Sequence, residues 1–547
     1  MAKAGRAGRG GRHTAGGAVL GLLMGGAAVV APAVLAPAAG KTLVYCSEGS
    51  PENFNPMINS TGTTFDANRP IYQRLLAFSP GTTTVVPSLA ERWDVSDDGL
   101  VYTFHLRQGV AWQPNARFKP TRTFNADDVL FSFDRQGKDD SPFHKVSGGG
   151  YEYWNDMAFP TLLKSVEKVD DATVRFTLSQ PQAPFLADLA MDFAAIQSKE
   201  YGDALLKAGK PELIDQEPVG TGPFALLAYQ RDAVIRYRAF PGYWGVKPKV
   251  DNLVFTIVKD PAVRLAKLRA NECQVMSYPA MADLGAIKGD AALQVMEQPG
   301  MNIGFLALNT TKKPFDDKRV RLAVNMAVDR KAILDAVYQG AGTPATTLLP
   351  PTIWAYDSAI AAYPHDPEKA KALLAEAGYK DGVDIDLWAM PVQRPYNPDA
   401  RRVAELMQSD LAAVGVRAKI VSLEWGEYRK RVAQGDDQSA EYGWTGDNGD
   451  PDNFYMPLAG CAAAAPGGSN TPKWCDHAFD DLIHKAATLG DQAQRKALYD
   501  QAAVILHDEA PFFLIAHSTV FMPMRKDVTG YVMSPLGSHE FATTDVP

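Results

Sequence analysis

The sequence predicts a mixed α/β protein with substantial sheet, divided into two or three domains. Three observations predict it. Segments with a strand's alternation of polarity recur along the chain, capped helical segments separate them, and 547 residues exceed what a single hydrophobic core organises.

The first element stands outside the fold. Lys3, Arg6, Arg9 and Arg12 precede an apolar, Ala-rich run from about Ala18 to Ala36, and the small residues "APAAG" stand before Lys41. Regions in that order read as a secretory signal peptide over residues 1–40, cleaved near Ala39 or Gly40. Pro32 and the interrupting glycines make the run a poor membrane anchor. Cys46 follows "LVY", which argues against a lipoprotein, and no paired arginines mark a twin-arginine signal. The expected location of the mature chain is the periplasm.

The later elements follow in order. In "VYTFHLRQGVAW", Tyr102, Phe104 and Leu106 share one side and Thr103, His105 and Arg107 the other, the period of a half-buried strand. "FNADDVLFSFDR" offers Asn125 as a helix cap, with Asp127 and Asp128 in the first turn, where the helix dipole favours negative charge. "ATVRFTLS" and "LVFTIV" read as strands, and "VRLAVNMAVDRKAILDAVYQGAG" continues the alternation. "DPEKAKALLAEAG" is a compact helix with Asp366 as cap, Pro367 at its first position and Gly378 as its stop. "VDIDLWAM" and "VRAKIVSLEW" are strands around a helix from about Asp399 to Val414. "GMNIGFLALNT" (300–310) and "APFFLIAHSTVF" (510–521) are apolar and extended; side by side they would make two crossings between lobes, a hinge.

Charge and motifs narrow the function. The leader holds four basic and no acidic side chains, so the formal net charge of −8 becomes −12 in the mature chain. An acidic chain is a poor partner for nucleic acid or an anionic membrane surface. GxSxG, HExxH, GxxxxGK[ST] and CxxC are all absent, and the nine histidines are scattered. His477 and His484 lie seven apart without an evident further ligand, so no metal or cofactor is expected. Four cysteines, Cys46, Cys273, Cys461 and Cys475, suggest two disulfides with three possible pairings. Cys461 and Cys475 are close enough in sequence for a local bridge; zinc is the rival use, without a CxxC pair to support it.

"GWTGDNGDPDNF" (443–454) gathers three aspartates, two asparagines and three glycines behind Trp444. A calcium loop of the EF-hand type needs oxygen ligands at positions 1, 3, 5 and 12. Counted from Asp447, position 3 is Gly449 and position 12 is Leu458, so the spacing excludes it. Asp450 and Asp452 read as turn and cap residues beside Pro451.

"LAERWDVSDDGLVYTFHLRQGVAW", "FNADDVLFSFDR", "VGTGPF", "YWG" and "NMAVDR" resemble the extracellular solute-binding proteins of family 5, the peptide, oligopeptide and nickel binders that serve ABC importers. "TLVYCSEGSPENFNP", "MPVQRPYNPDARR", "WGEY" and "GWTGDNGDPDNF" resemble its dipeptide-binding branch. The resemblance covers essentially the whole mature chain. It implies a two-lobed binding-protein fold of the type II, cluster C-like kind, with three domains and a two-segment hinge. Domain I would comprise 41–80, 207–300 and 513–547, domain II 81–206, and domain III 301–512. It also implies the pairings Cys46–Cys273 and Cys461–Cys475.

In the dipeptide-binding branch an aspartate holds the ligand's α-ammonium and an arginine its α-carboxylate. Matched motif by motif, these are Asp447 and Arg394. Tyr396, Trp425 and Trp444 would line side-chain pockets, and the backbone of "STGTT", Gly62 and Thr63 in particular, would meet the ligand's peptide group. The physical logic stands apart from the resemblance. A buried charge without a partner is very costly, so a closed site for a zwitterion must supply one carboxylate and one cation. Two extended residues span at most about 7 Å, and the separation of the two anchors then gauges length. Arginine suits its end because its planar fork grips a carboxylate with two parallel hydrogen bonds.

The expected function is a non-catalytic monomeric receptor that captures dipeptides for an inner-membrane ABC permease, with a chemoreceptor as a possible further partner. The alternatives keep the fold and change the ligand to haem, 5-aminolevulinate or a modified or D-amino-acid peptide. A secreted peptide hydrolase would need a nucleophile or metal near Asp447, and the sequence offers none.

Overall fold

The computed structural model describes residues 40–547; the expected signal peptide lies outside them apart from Gly40. Its strands, in chain order, begin with β1 (Thr42–Ser47), β2 (Leu76–Phe78), β3 (Val85–Pro87), β4 (Ala90–Val95), β5 (Val101–Leu106), β6 (Leu163–Asp170) and β7 (Thr173–Leu178). There follow β8 (Phe224–Gln230), β9 (Val234–Ala239), β10 (Asn252–Ile257), β11 (Val275–Met276), β12 (Leu293–Pro299) and β13 (Asn302–Leu308). The last are β14 (Gly342–Pro344), β15 (Val383–Trp388), β16 (Val416–Val421), β17 (Ser439–Thr445) and β18 (Phe512–Arg525).

Period-two alternation becomes sheet where it was expected. Along β5 every second residue is buried, with Tyr102, Phe104 and Leu106 facing the core. β5 pairs antiparallel with β4 and β7, and β6 completes a four-stranded sheet in the order β4-β5-β7-β6. The helix Ala126–Gly137 starts at Asn125, which accepts from the Asp127 amide while the Asp128 carboxylate accepts from the Asn125 amide, a closed capping box. Asp399 caps the helix Ala400–Ala413 between the parallel strands β15 and β16. The stretch after Lys318 is divided. The helix Lys318–Ala327 stops at Val328, because Asp329 accepts from the Ala332 amide and caps a new turn.

The large sheet runs β16-β15-β17-β13-β18-β11-β1-β10-β9-β8, with β12 and β14 also pairing to β18. β13 and β18 are the two candidate crossing segments, and they lie side by side, antiparallel. β18 serves both halves. Its residues 512–516 pair with β13, and 519–525 pair with β12. β12 and β13 are joined through Gly300 and Met301, so two neighbouring strands pass from one lobe to the other. The first lobe holds β1 and β8–β12, with β4–β7 inserted; the second holds β13–β17. One apolar cluster lies around Leu43, Phe255 and Met522 and another around Leu306, Leu387 and Phe513, while a third runs from Phe104 and Phe176 of the inserted region to Phe305, Trp444 and Tyr455 of the second lobe.

Cys46 is bonded to Cys273 and Cys461 to Cys475, and no cysteine is free. His477 stands with Cys461 and Cys475 in one group, but the bridge leaves no thiolate there for a metal. Among the described residues no helix is long and apolar enough to cross a membrane.

Candidate functional site

A cavity of about 300 Å³ opens between the lobes. Its walls come from the loop after β1 and the inserted β4–β7 region on one side, and from the loops following β15 and β17 on the other. Arg394, Tyr396, Trp425, Trp444, Asp447 and Gly62 all line it. Thr63 does not. Gly62 and Thr63 begin a short helix, Gly62–Asn68, capped by Thr61, and that turn directs the Thr63 hydroxyl to Glu48 at 2.5 Å. Of the two residues expected to meet a ligand's peptide group, Gly62 lies on the cavity wall, as do Ser60 and Thr61 of the same stretch.

The Asp447 carboxylate is fixed by its turn. The Asn453 side-chain oxygen accepts from the Asp447 amide at 2.7 Å and from the Trp444 indole at 3.3 Å, while the Gly446 amide donates to Met301 in the crossing segment. Tyr153, from the inserted region, donates its hydroxyl to Asp447 Oδ2 at 2.7 Å. No cation lies within ion-pair distance of Asp447 among the described residues. Burial, with the charge of Asp192 adding to it, pushes its carboxyl up to about 7, against the Tyr153 hydrogen bond and the Arg69 charge. A buried carboxylate in that condition is stabilised by any ammonium that reaches it.

Of the two aspartates farther along the turn, Asp450 holds it, accepting from the Asp452 amide, whereas Asp452 does not act as the expected cap, because Pro451 stands at the cap position. Asp450 receives a bidentate grip from Arg495 at 2.7 and 2.8 Å, and Asp452 opens the helix Asp452–Ala459. Asp452 is buried with both oxygens unpartnered. Burial and the Asp450 charge push its carboxyl up to about 7.

Arg394 sits in a loop pinned at four points. Its amide donates to Asn397 and its carbonyl accepts in return, Ser518 of β18 donates to the Pro395 carbonyl at 2.7 Å, and Tyr338 donates to the Tyr396 carbonyl at 2.7 Å. The Arg394 guanidinium lies 5.4 Å from the Trp425 ring centroid, within cation–π range. Its nearest anion is Glu48 of the first lobe, at 3.5 Å from Nη1, a long and loose pairing. The negative charge of Glu48 still lifts the arginine's pKa against the opposing effect of burial. The site thus has a carboxylate short of a cation at one end and a guanidinium with a slack partner at the other. Asp447 and Arg394 do not pair with each other.

Several cavity residues were not foreseen. Arg429 reaches across to Glu52 at 3.0 Å and Glu152 at 3.2 Å, and also binds Ser60. Glu152 in turn accepts from Ser469 of the loop closed by Cys461–Cys475. Tyr442 stacks against Trp425, with ring centroids 6.0 Å apart. Arg429 was findable, because it follows Trp425 of "WGEY" by four residues and so shares its face of the helix Trp425–Ala433. Tyr153, Glu152 and Glu48 carry no such local signal.

Residues 84–466 match the family described as bacterial extracellular solute-binding proteins, family 5 Middle. The chain is 58% identical over 527 residues to the dipeptide-binding protein of Escherichia coli strain K12, covering 96% of this chain and 98% of that one. It is 50% identical over 501 residues to heme-binding protein A of Haemophilus influenzae, covering 91% of each. The crystal structure of a dipeptide-binding protein from Pseudoalteromonas sp. SM9913 in complex with Met-Leu superposes with a TM-score of 0.90 at 40% identity. That superposition covers 93% of this chain and all of the other.

Proposed function

The chain belongs to the bacterial extracellular solute-binding proteins of family 5, and from that premise we propose that it captures dipeptides between its lobes and delivers them to a membrane-embedded ABC permease. The observation that carries this reading is that Asp447 and Arg394 line one small cavity without pairing with each other, Asp447 having no cation within ion-pair distance among the described residues and Arg394 only the loose Glu48 contact. A dipeptide zwitterion supplies both missing charges, and its extended length of at most about 7 Å suits an enclosure of this size. A cavity of about 300 Å³ suits a dipeptide better than a porphyrin, which sets haem behind a dipeptide despite the relative that bears its name. Tyr396, Trp425 and Trp444 provide apolar surface for ligand side chains, and the polar groups of Glu152, Arg429 and Ser469 allow water to complete contacts with varied ones.

The receptor works as a periplasmic monomer and does no chemistry; its task is selection and closure. The test is calorimetry with alanyl-alanine, its amide, its N-acetyl form and 5-aminolevulinate, followed by mass spectrometry of the recovered ligand. Tight binding of intact alanyl-alanine, lost when either terminus is blocked, supports the reading. Binding that ignores both termini, or recovery of free alanine, overturns it.

A further inference from the structure

Beside Arg394 stands a side chain that touches both lobes. Gln393 belongs to the second lobe, yet its amide is spent entirely on the first. Its Oε1 accepts from Arg264 Nη2 at 3.2 Å, and its Nε2 donates to the Pro279 carbonyl at 3.2 Å. Its backbone carbonyl accepts from Arg394 Nη1 at 3.2 Å, on the same nitrogen that faces Glu48.

The platform that receives this amide is rigid. Arg264 is fully buried and donates to the carbonyls of Val258, Lys259, Ser277 and Tyr278 at 2.8–3.0 Å. It has no ion-pair partner within 4 Å among the described residues, and the charges of Glu48 and Asp260 act on it only from farther away.

Resting on the dipeptide reading above, we propose that Gln393 is a positioning residue for Arg394. It docks on Arg264 and Pro279 when the lobes meet, and thereby presents the guanidinium to the ligand's carboxylate in the closed state alone. Both contacts that hold the guanidinium fall on Nη1, which leaves Nε and Nη2 for the ligand. Only an amide of this length satisfies the platform. Asparagine is one methylene short, and glutamate keeps Arg264 but sets a carboxylate oxygen against the Pro279 carbonyl.

The test compares alanyl-alanine with its C-terminal amide, by calorimetry, on wild type, Arg394→Ala, Gln393→Ala and Gln393→Glu. Wild type prefers the acid and Arg394→Ala abolishes the preference; if either fails, the dipeptide reading falls, and this proposal with it. Given both, Gln393→Ala lowers the acid-over-amide preference by about fivefold to tenfold, the scale of one charge-assisted contact, with the melting temperature of the free protein unchanged. Gln393→Glu recovers part of the preference through Arg264. Equal weakening of acid and amide by Gln393→Ala would reduce Gln393 to a contact between lobes, and unchanged binding of both would remove it from the site; either result overturns the proposal.

Discussion

On the proposed reading, ligand capture turns on the charge of Asp447. An ammonium binds the carboxylate and not the acid, so dipeptide affinity rises with pH and levels off above about 7, where the buried group ionises. Below that midpoint affinity falls by up to about tenfold per pH unit. Tyr153→Phe removes the hydroxyl that stabilises the ionised form and moves the midpoint upward; a profile that is flat between pH 5.5 and 8, by calorimetry, contradicts this role. At the opposite end, Arg394→Ala weakens dipeptide binding by about two orders of magnitude or more while leaving the melting temperature of the free protein in place. Both proposed anchors were chosen only through the motifs around them. Nothing in an isolated aspartate or arginine marks it as unpaired, because pairing is decided by groups from the other lobe. Glu48 and Tyr153, the side chains that meet the two anchors, stayed hidden for that reason.

At the level of elements, the Asn125 cap gave the start of the helix Ala126–Gly137 and alternation gave strand β5 almost residue by residue, since local hydrogen bonds and alternation decide them. The backbone platform beneath the site was not legible, because it arises from register. Gly304 on β13 and Gly443 on β17 stand opposite each other, and a Cβ on either would collide with Tyr396. Gly443→Ala therefore displaces the Tyr396 loop; it costs about 1–3 kcal/mol of stability and weakens dipeptide binding together with it, as denaturant titration and calorimetry show on the same preparation. An affinity loss absent from this variant would mean that the loop tolerates the shift. The disulfide loop makes a second case. Cys461–Cys475 closes a short segment that carries Ser469 to Glu152, so Cys461→Ser with Cys475→Ser lowers stability by about 3 kcal/mol and speeds dipeptide release. Stopped-flow measurement of the release rate checks the second effect separately from the first.

Across the whole molecule, buried carboxyls set the dependence of stability on pH. Asp447, Asp452 and Asp437 are each pushed up to about 7, chiefly by burial. The folded chain then holds more protons than the unfolded chain between the ordinary carboxylate range and 7, so this contribution is lost as pH rises through 7. His517, which burial lowers to about 4, acts in the opposite sense, but its effect is complete by its ordinary value near 6.5. The ligand-free protein accordingly melts at a lower temperature at pH 8 than at pH 6.5, and Asp452→Asn flattens that slope; scanning calorimetry at both pH values decides it. Arrangement in two lobes followed from resemblance in the sequence, whereas the sharing of β18 between both lobes comes from long-range pairing that no local pattern encodes. On the dipeptide reading neither lobe encloses the cavity alone, so a bound molecule is held by contacts that part when the lobes part. Its residence time is governed by how often the clamp opens, so an acceptor that empties this protein acts by prying on the jaws, and cargoes of very different grip are unloaded by the same stroke.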